Sequence, residues 1–93
     1  MPTPLRDRYS KGLQALGYRP VRSRSARYQQ LENPSSEVAP YAWLGRAGAV
    51  RFGIGPHVTY SWSASPHARD VIRRAADGLP VAADEFLPER HWP

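Results

Sequence analysis

The stretch that most constrains this chain is Tyr41–Gly53, Tyr-Ala-Trp-Leu-Gly-Arg-Ala-Gly-Ala-Val-Arg-Phe-Gly. It reads as a β-hairpin. Gly45-Arg46-Ala47-Gly48 forms the expected four-residue loop, with glycine at both ends where positive φ is needed. That loop pairs Leu44 with Ala49, Trp43 with Val50, Ala42 with Arg51 and Tyr41 with Phe52. Tyr41, Trp43, Val50 and Phe52 then share one face, a core. Ala42, Leu44, Ala49 and Arg51 share the other, which is small and basic. Strand side chains alternate with a period of two, so a slip of one residue would exchange the faces.

The flanking segments supply the rest of an α+β domain. Leu5, Tyr9, Leu13 and Leu16 recur at helical spacing, and Gly17 and Pro20 stop the run, so a helix is expected over Leu5–Leu16. Arg22–Ser25 reads as an irregular entry or bulge. Ala26–Leu31 reads as a first strand, with Ala26 and Tyr28 toward the core and Arg27 and Gln29 outward. Asn33-Pro34-Ser35-Ser36 is a turn signal. After the hairpin, Val58, Tyr60 and Trp62 alternate with Thr59, Ser61 and Ser63 as a last strand. Ser65-Pro66 opens a second helix as N-cap and first residue, and Gly78 and Pro80 end it. The expected fold is one α-β-β-β-β-α domain over residues 1–80, an antiparallel sheet with both helices on one face, followed by an acidic tail, 81–93. Its open face would carry Arg27, Gln29, Ala42, Leu44, Arg51, Thr59, Ser61 and Ser63.

Ninety-three residues suit a single domain, and the ten aromatics must supply much of its core. The absence of cysteine removes disulfides and thiolate metal sites. No apolar run approaches the roughly 20 residues of a membrane span, and no signal-peptide run opens the chain, so a cytoplasmic protein is expected. The charge is uneven. Residues 1–74 carry twelve Lys/Arg against four Asp/Glu, net +8, and residues 75–93 carry one against four, net −3. A basic body calls for an anionic partner. Twelve of the thirteen basic residues are arginine, whose planar fork matches phosphate.

Three arginine groups are candidate contacts. Arg19, Arg22, Arg24 and Arg27 lie between Tyr18 and Tyr28, interleaved with serines, a pattern suited to phosphate contacts and stacking. Arg46 at the hairpin tip and Arg51 on its outer face form a second group. Arg69, Arg73 and Arg74 on the second helix form a secondary basic patch. His57, His67 and His91 are not spaced for a shared metal. Gly53-Ile54-Gly55 lacks the third glycine of a dinucleotide site, and there is no Gly-x-Ser-x-Gly elbow. No catalytic residue and no cofactor is therefore expected.

Leu13-Gln14-Ala15-Leu16-Gly17-Tyr18, followed by a basic serine-containing stretch, resembles the start of a HicA-type toxin over roughly residues 5–31. The order helix, sheet, helix is similar to that of the double-stranded RNA-binding domain. The toxin resemblance implies a small basic ribonuclease that cleaves messenger RNA and is held by an acidic antitoxin. Where that family has a histidine after Gly-Ser on its first strand, this chain has Arg24-Ser25-Ala26-Arg27, so His57 or His67 would have to be the general base. The composition also looks like that of small phage and mobile-element proteins. The residues themselves point to a non-enzymatic nucleic-acid-binding domain for RNA or DNA. The alternative is a protein-binding module, such as a phage-type inhibitor docking on a larger nucleoprotein complex through Arg, Trp and Tyr anchors. The tail, Val81–Trp92, is expected to lie on its own domain and compete with an anionic ligand for the arginines.

Overall fold

Local signals set both helices. Helix α1 spans Leu5–Ala15 and α2 spans Pro66–Ala76. The Ser65 hydroxyl accepts the Ala68 N–H at 3.1 Å, and Pro66 takes the first turn, where its missing N–H costs nothing. Both helices end in a Schellman motif. The Tyr18 N–H reaches the Leu13 carbonyl at 2.9 Å, and the Leu79 N–H reaches the Arg74 carbonyl at 3.0 Å. The structure, a computed structural model, describes residues 4–23, 25–82, 85 and 86.

The helices pack antiparallel. Arg8 reaches Asp77 at 2.6 Å, and Arg73 reaches the Tyr9 hydroxyl at 3.3 Å. Gly12 lies against Ile72, where a Cβ would come within 2.0 Å of the Ile72 carbonyl oxygen. That close approach accounts for a glycine that costs the helix about 1 kcal/mol in propensity.

Five antiparallel strands form a meander in sequence order: β1 Arg19–Val21, β2 Tyr28–Glu32, β3 Tyr41–Gly45, β4 Val50–Gly53 and β5 Trp62–Ser63. The α+β class and the placement of both helices on one sheet face are as expected, with a short edge strand, β1, added. The core joins Tyr9, Leu13, Ala68 and Ile72 of the helices to Leu31, Ala42, Leu44, Val50, Phe52 and Trp62 of the sheet. The buried Tyr18 hydroxyl donates to the Ala39 carbonyl at 2.7 Å, and burial pushes its pKa up to about 12. From the tail, Phe86 adds edge contacts to Tyr18 and Phe52, with ring centroids 6.3 and 5.8 Å apart.

The hairpin corrects the expected register. Leu44 pairs with Val50, Trp43 with Arg51, Ala42 with Phe52 and Tyr41 with Gly53. The loop has three residues, not four. The Gly48 N–H closes a turn on the Gly45 carbonyl at 3.2 Å, and the Gly45 N–H still pairs with the Ala49 carbonyl at 2.8 Å. Gly48 has φ +83°, the left-handed residue of a type I turn with a G1 bulge, whereas Gly45 stays in the strand. The faces of β3 therefore exchange, while Val50 and Phe52 of β4 keep the core side as expected. Ala42 and Leu44 join the helix-side core, and Tyr41, Trp43 and Arg51 take the other side with Tyr28, Gln30 and Ser63. The first strand is corrected in the same sense. It begins at Tyr28, Leu31 is its core residue, Gln29 shares the helix side, and Ala26 lies exposed in the preceding turn.

The second face is not open. Trp43 is 1% exposed there and stacks on Tyr41, ring centroids 6.0 Å apart. A strap, residues 54–61, crosses over it and replaces the expected strand from Val58. Val58–Tyr60 is a 3-10 turn, and Tyr60 is 77% exposed. Arg51 fastens the strap: its Nε donates to Ser61 Oγ at 2.6 Å, Nη2 to the Ser61 carbonyl at 2.7 Å and Nη1 to Ser63 Oγ at 3.1 Å. Gly53 gives the Trp43 ring its space, since a Cβ there would lie 2.8 Å from Cζ3.

Candidate nucleic-acid interface

The pairing of Tyr28 with Gly45 sets the start of β2 beside the tip of the β3–β4 hairpin. It brings Arg27 and Arg46, far apart in sequence, to one cleft of about 440 Å³ lined otherwise by Ala26, Tyr28, Gly45, Ala47 and Ala49. Both arginines are exposed. Among the described residues, neither takes part in an ion pair. The cleft is thus positive at its rim and apolar on its floor.

The serines between the arginines hold the backbone. Ser23 Oγ faces the Ser25 carbonyl at 2.8 Å and the Tyr28 carbonyl at 2.5 Å, and the Arg27 N–H donates to Ser25 Oγ at 3.2 Å. These side-chain-to-backbone bonds form a tight turn that presents Arg27. On the other wall, Leu5 from α1 packs under Gly48, with its Cδ2 2.5 Å from where a Cβ would be, and so buttresses the tip that carries Arg46.

The other expected contacts are not gathered there. Arg22 is exposed just past β1, next to Val21, which pairs with Gln30. Arg19 lies at the opposite end of the sheet, across from Glu32. Arg24 lies outside the described residues. Arg51 has three donors committed to the strap, so it acts as a fastener. The α2 arginines do not line the cleft. Arg73 reaches Asp70 at 3.7 Å, and Arg74 reaches Asp70 at 3.3 Å and Glu85 at 2.9 Å, while Arg69 is half-buried on the same helix. The Glu85 carboxyl is held below the usual carboxylate range, first by the Ala82 N–H at 2.9 Å and then by Arg74. The described part of the tail therefore engages a helix arginine and the core, not the cleft. Residues 87–93, including His91 and Trp92, lie outside the described residues.

His57 sits in the strap over Trp43, and His67 Nε2 lies 3.1 Å from the Glu85 carbonyl oxygen. Neither lines the cleft. Among the described residues no cluster of His, Asp and Glu is placed to hold a metal, and no helix is long and apolar enough to cross a membrane. The sequence named both cleft arginines, and Tyr28 as an aromatic flanking one of them, but not their meeting in one cleft, because that depends on strand pairing. The alternation of Ser23 and Ser25 with arginine was the local signal for the turn that aims Arg27. No protein-family model matches the chain, and no curated protein or solved structure is similar to it.

Proposed function

We propose that this protein is a small cytoplasmic nucleic-acid-binding domain whose contact surface is the hairpin-tip end of the sheet. The observation that carries this reading is the meeting of Arg27 and Arg46 at one exposed cleft, neither in an ion pair among the described residues. An unpaired guanidinium keeps its donors for a phosphate, whereas one already bonded to a carboxylate must give up that bond first. Arg22 on the adjoining edge, exposed and in no ion pair among the described residues, adds a third charge. If these three each neutralise a phosphate, the log–log salt slope is about −2 on a single strand and about −3 on a duplex. Fluorescence anisotropy with labelled RNA and DNA at two salt concentrations tests this. Salt-sensitive binding that Arg27→Ala/Arg46→Ala removes is the expected result. No binding at low salt overturns the reading.

A second reading, a protein-binding module, draws on the other end of the sheet. There Ile54, 63% exposed, lines a mostly apolar cleft of about 290 Å³ with Pro34, Pro40, Tyr41 and, at its edge, Glu32. Exposed apolar surface of this kind is a common docking site. A pulldown from lysate with and without nuclease separates the two: partners that survive nuclease favour this second reading.

A further inference from the structure

Resting on the nucleic-acid reading, we propose that the cleft between Arg27 and Arg46 seats a single unpaired nucleotide. Its base lies on the apolar floor against Tyr28, and its phosphate lies between the two guanidinium groups.

The lining decides the class of ligand. Apart from the two arginines, the described residues that line the cleft are apolar or aromatic: Ala26, Tyr28, Gly45, Ala47 and Ala49. A duplex presents its phosphates on the outside and keeps its base faces stacked away from a protein surface. It would satisfy the rim and leave the floor without a partner. A free phosphate would do the same. An unpaired base offers a flat π-face for the floor and wall and carries its own phosphate to the rim. The volume, about 440 Å³, lies in the range of small-molecule sites, roughly 300–1,000 Å³, and is too small for a stretch of double helix.

The aromatic wall is set in advance. Tyr28 is half-buried, and its ring lies over the hairpin at Gly45, where a Cβ would stand 3.5 Å from the Tyr28 Cε1 and 3.2 Å from the Ala49 Cβ. Any larger residue at 45 would push the ring or the hairpin. The Tyr28 carbonyl is held by Ser23, and its strand is paired to Gly45. The backbone that carries the ring is therefore set before a ligand arrives, which lowers the ordering that opposes stacking. Three exposed alanines beside it leave the floor unfilled. An arginine fork on each side completes a site that reads one base face and one phosphate and needs no sequence.

The test compares short labelled oligo-dT and oligo-rU strands with duplexes of equal length at one low salt concentration. The variants are Tyr28→Leu, Tyr28→Phe and Ala47→Leu, each checked by thermal melting. Unpaired strands are expected to bind about tenfold more tightly than duplex. Tyr28→Leu should cost the unpaired strands about tenfold, in line with the loss of one stacked base, and leave duplex binding unchanged. Tyr28→Phe should keep the preference. Ala47→Leu, which fills the floor without changing charge, should remove it even if Tyr28→Leu fails to fold. Tight binding of either sugar supports the proposal, because each brings an unpaired base and a phosphate. Equal binding of strands and duplexes overturns it and leaves the phosphate reading standing, as does an equal loss on both with Tyr28→Leu or Ala47→Leu. No binding of any nucleic acid defeats the underlying reading as well.

Discussion

The arginines of two regions of this molecule have been treated in opposite ways. On the helices, Arg8, Arg73 and Arg74 lie against Asp77, Asp70 and Glu85. At the hairpin tip, Arg27 and Arg46 flank an apolar cleft and take part in no ion pair among the described residues. Exposed pairs of the first kind contribute little stability, about 0–1 kcal/mol each, but they neutralise a surface. Charges of the second kind add nothing to the fold and remain available to a ligand. Net charge alone would have assigned both groups to one partner. Their neighbours separate them.

The largest expected effect comes from making the tip resemble the helices. Ala47→Glu places a carboxylate in the cleft beside Arg46. Nucleic-acid affinity should fall about a hundredfold at low salt, through one lost favourable contact and one added repulsion. Anisotropy titration measures it, and a loss of less than threefold would break the distinction between the two groups of arginines.

Next is the tail's anchor in the helix-side core. Phe86 packs edge-on against Tyr18 and Phe52, so Phe86→Ala should lower unfolding stability by about 2 kcal/mol. Denaturant melts read the change. Affinity for nucleic acid should stay within twofold of wild type, because the described part of the tail touches Tyr18, Phe52 and Arg74 and does not line the cleft.

Gly48→Ala strikes the tip itself. Its φ of +83° disfavours a side chain, and Leu5 occupies the space a Cβ would need. We expect a stability loss of about 1–2 kcal/mol and an affinity loss of several-fold, as Arg46 shifts relative to Arg27. Measuring both on one preparation separates a folding effect from a binding effect.

The smallest effect is on the helix side. The Glu85 carboxyl titrates below its unfolded value in the folded protein. Its stabilising contribution is therefore present above the unfolded carboxylate pKa of about 4.3 and is lost as the pH falls through the folded value. Melts across that window should show a small decrease that Glu85→Gln flattens.

Much of the fold was legible because its signals are local. Ser65-Pro66 opens α2, and Gly17 and Gly78 close the two helices, within a few residues of chain. The register was not legible, for a physical reason. Gly45 and Gly48 fit a three- or a four-residue loop equally well, and both resulting faces are apolar: Ala42 and Leu44 on one, Tyr41 and Trp43 on the other. Pattern alone specifies register weakly when both faces can be buried. At Gly45 a Cβ would crowd the Ala49 methyl at 3.2 Å, a contact made across strands. The strap escaped notice because Val58, Tyr60 and Trp62 alternate like a strand, while Arg51 and Ser61 turn the chain over Trp43. Arg27 and Arg46 could be named as basic residues, but only the β2–β3 pairing makes them one site.

The most direct test of the account is the salt dependence of binding in three proteins: wild type, Arg27→Ala/Arg46→Ala and Arg73→Ala/Arg74→Ala. The account predicts that the first double variant flattens the log–log slope by about 1.5, two phosphate contacts' worth, while the second leaves the wild-type slope within error. Equal flattening by both double variants would contradict it, because the ion-paired and the free arginines would then be contributing alike.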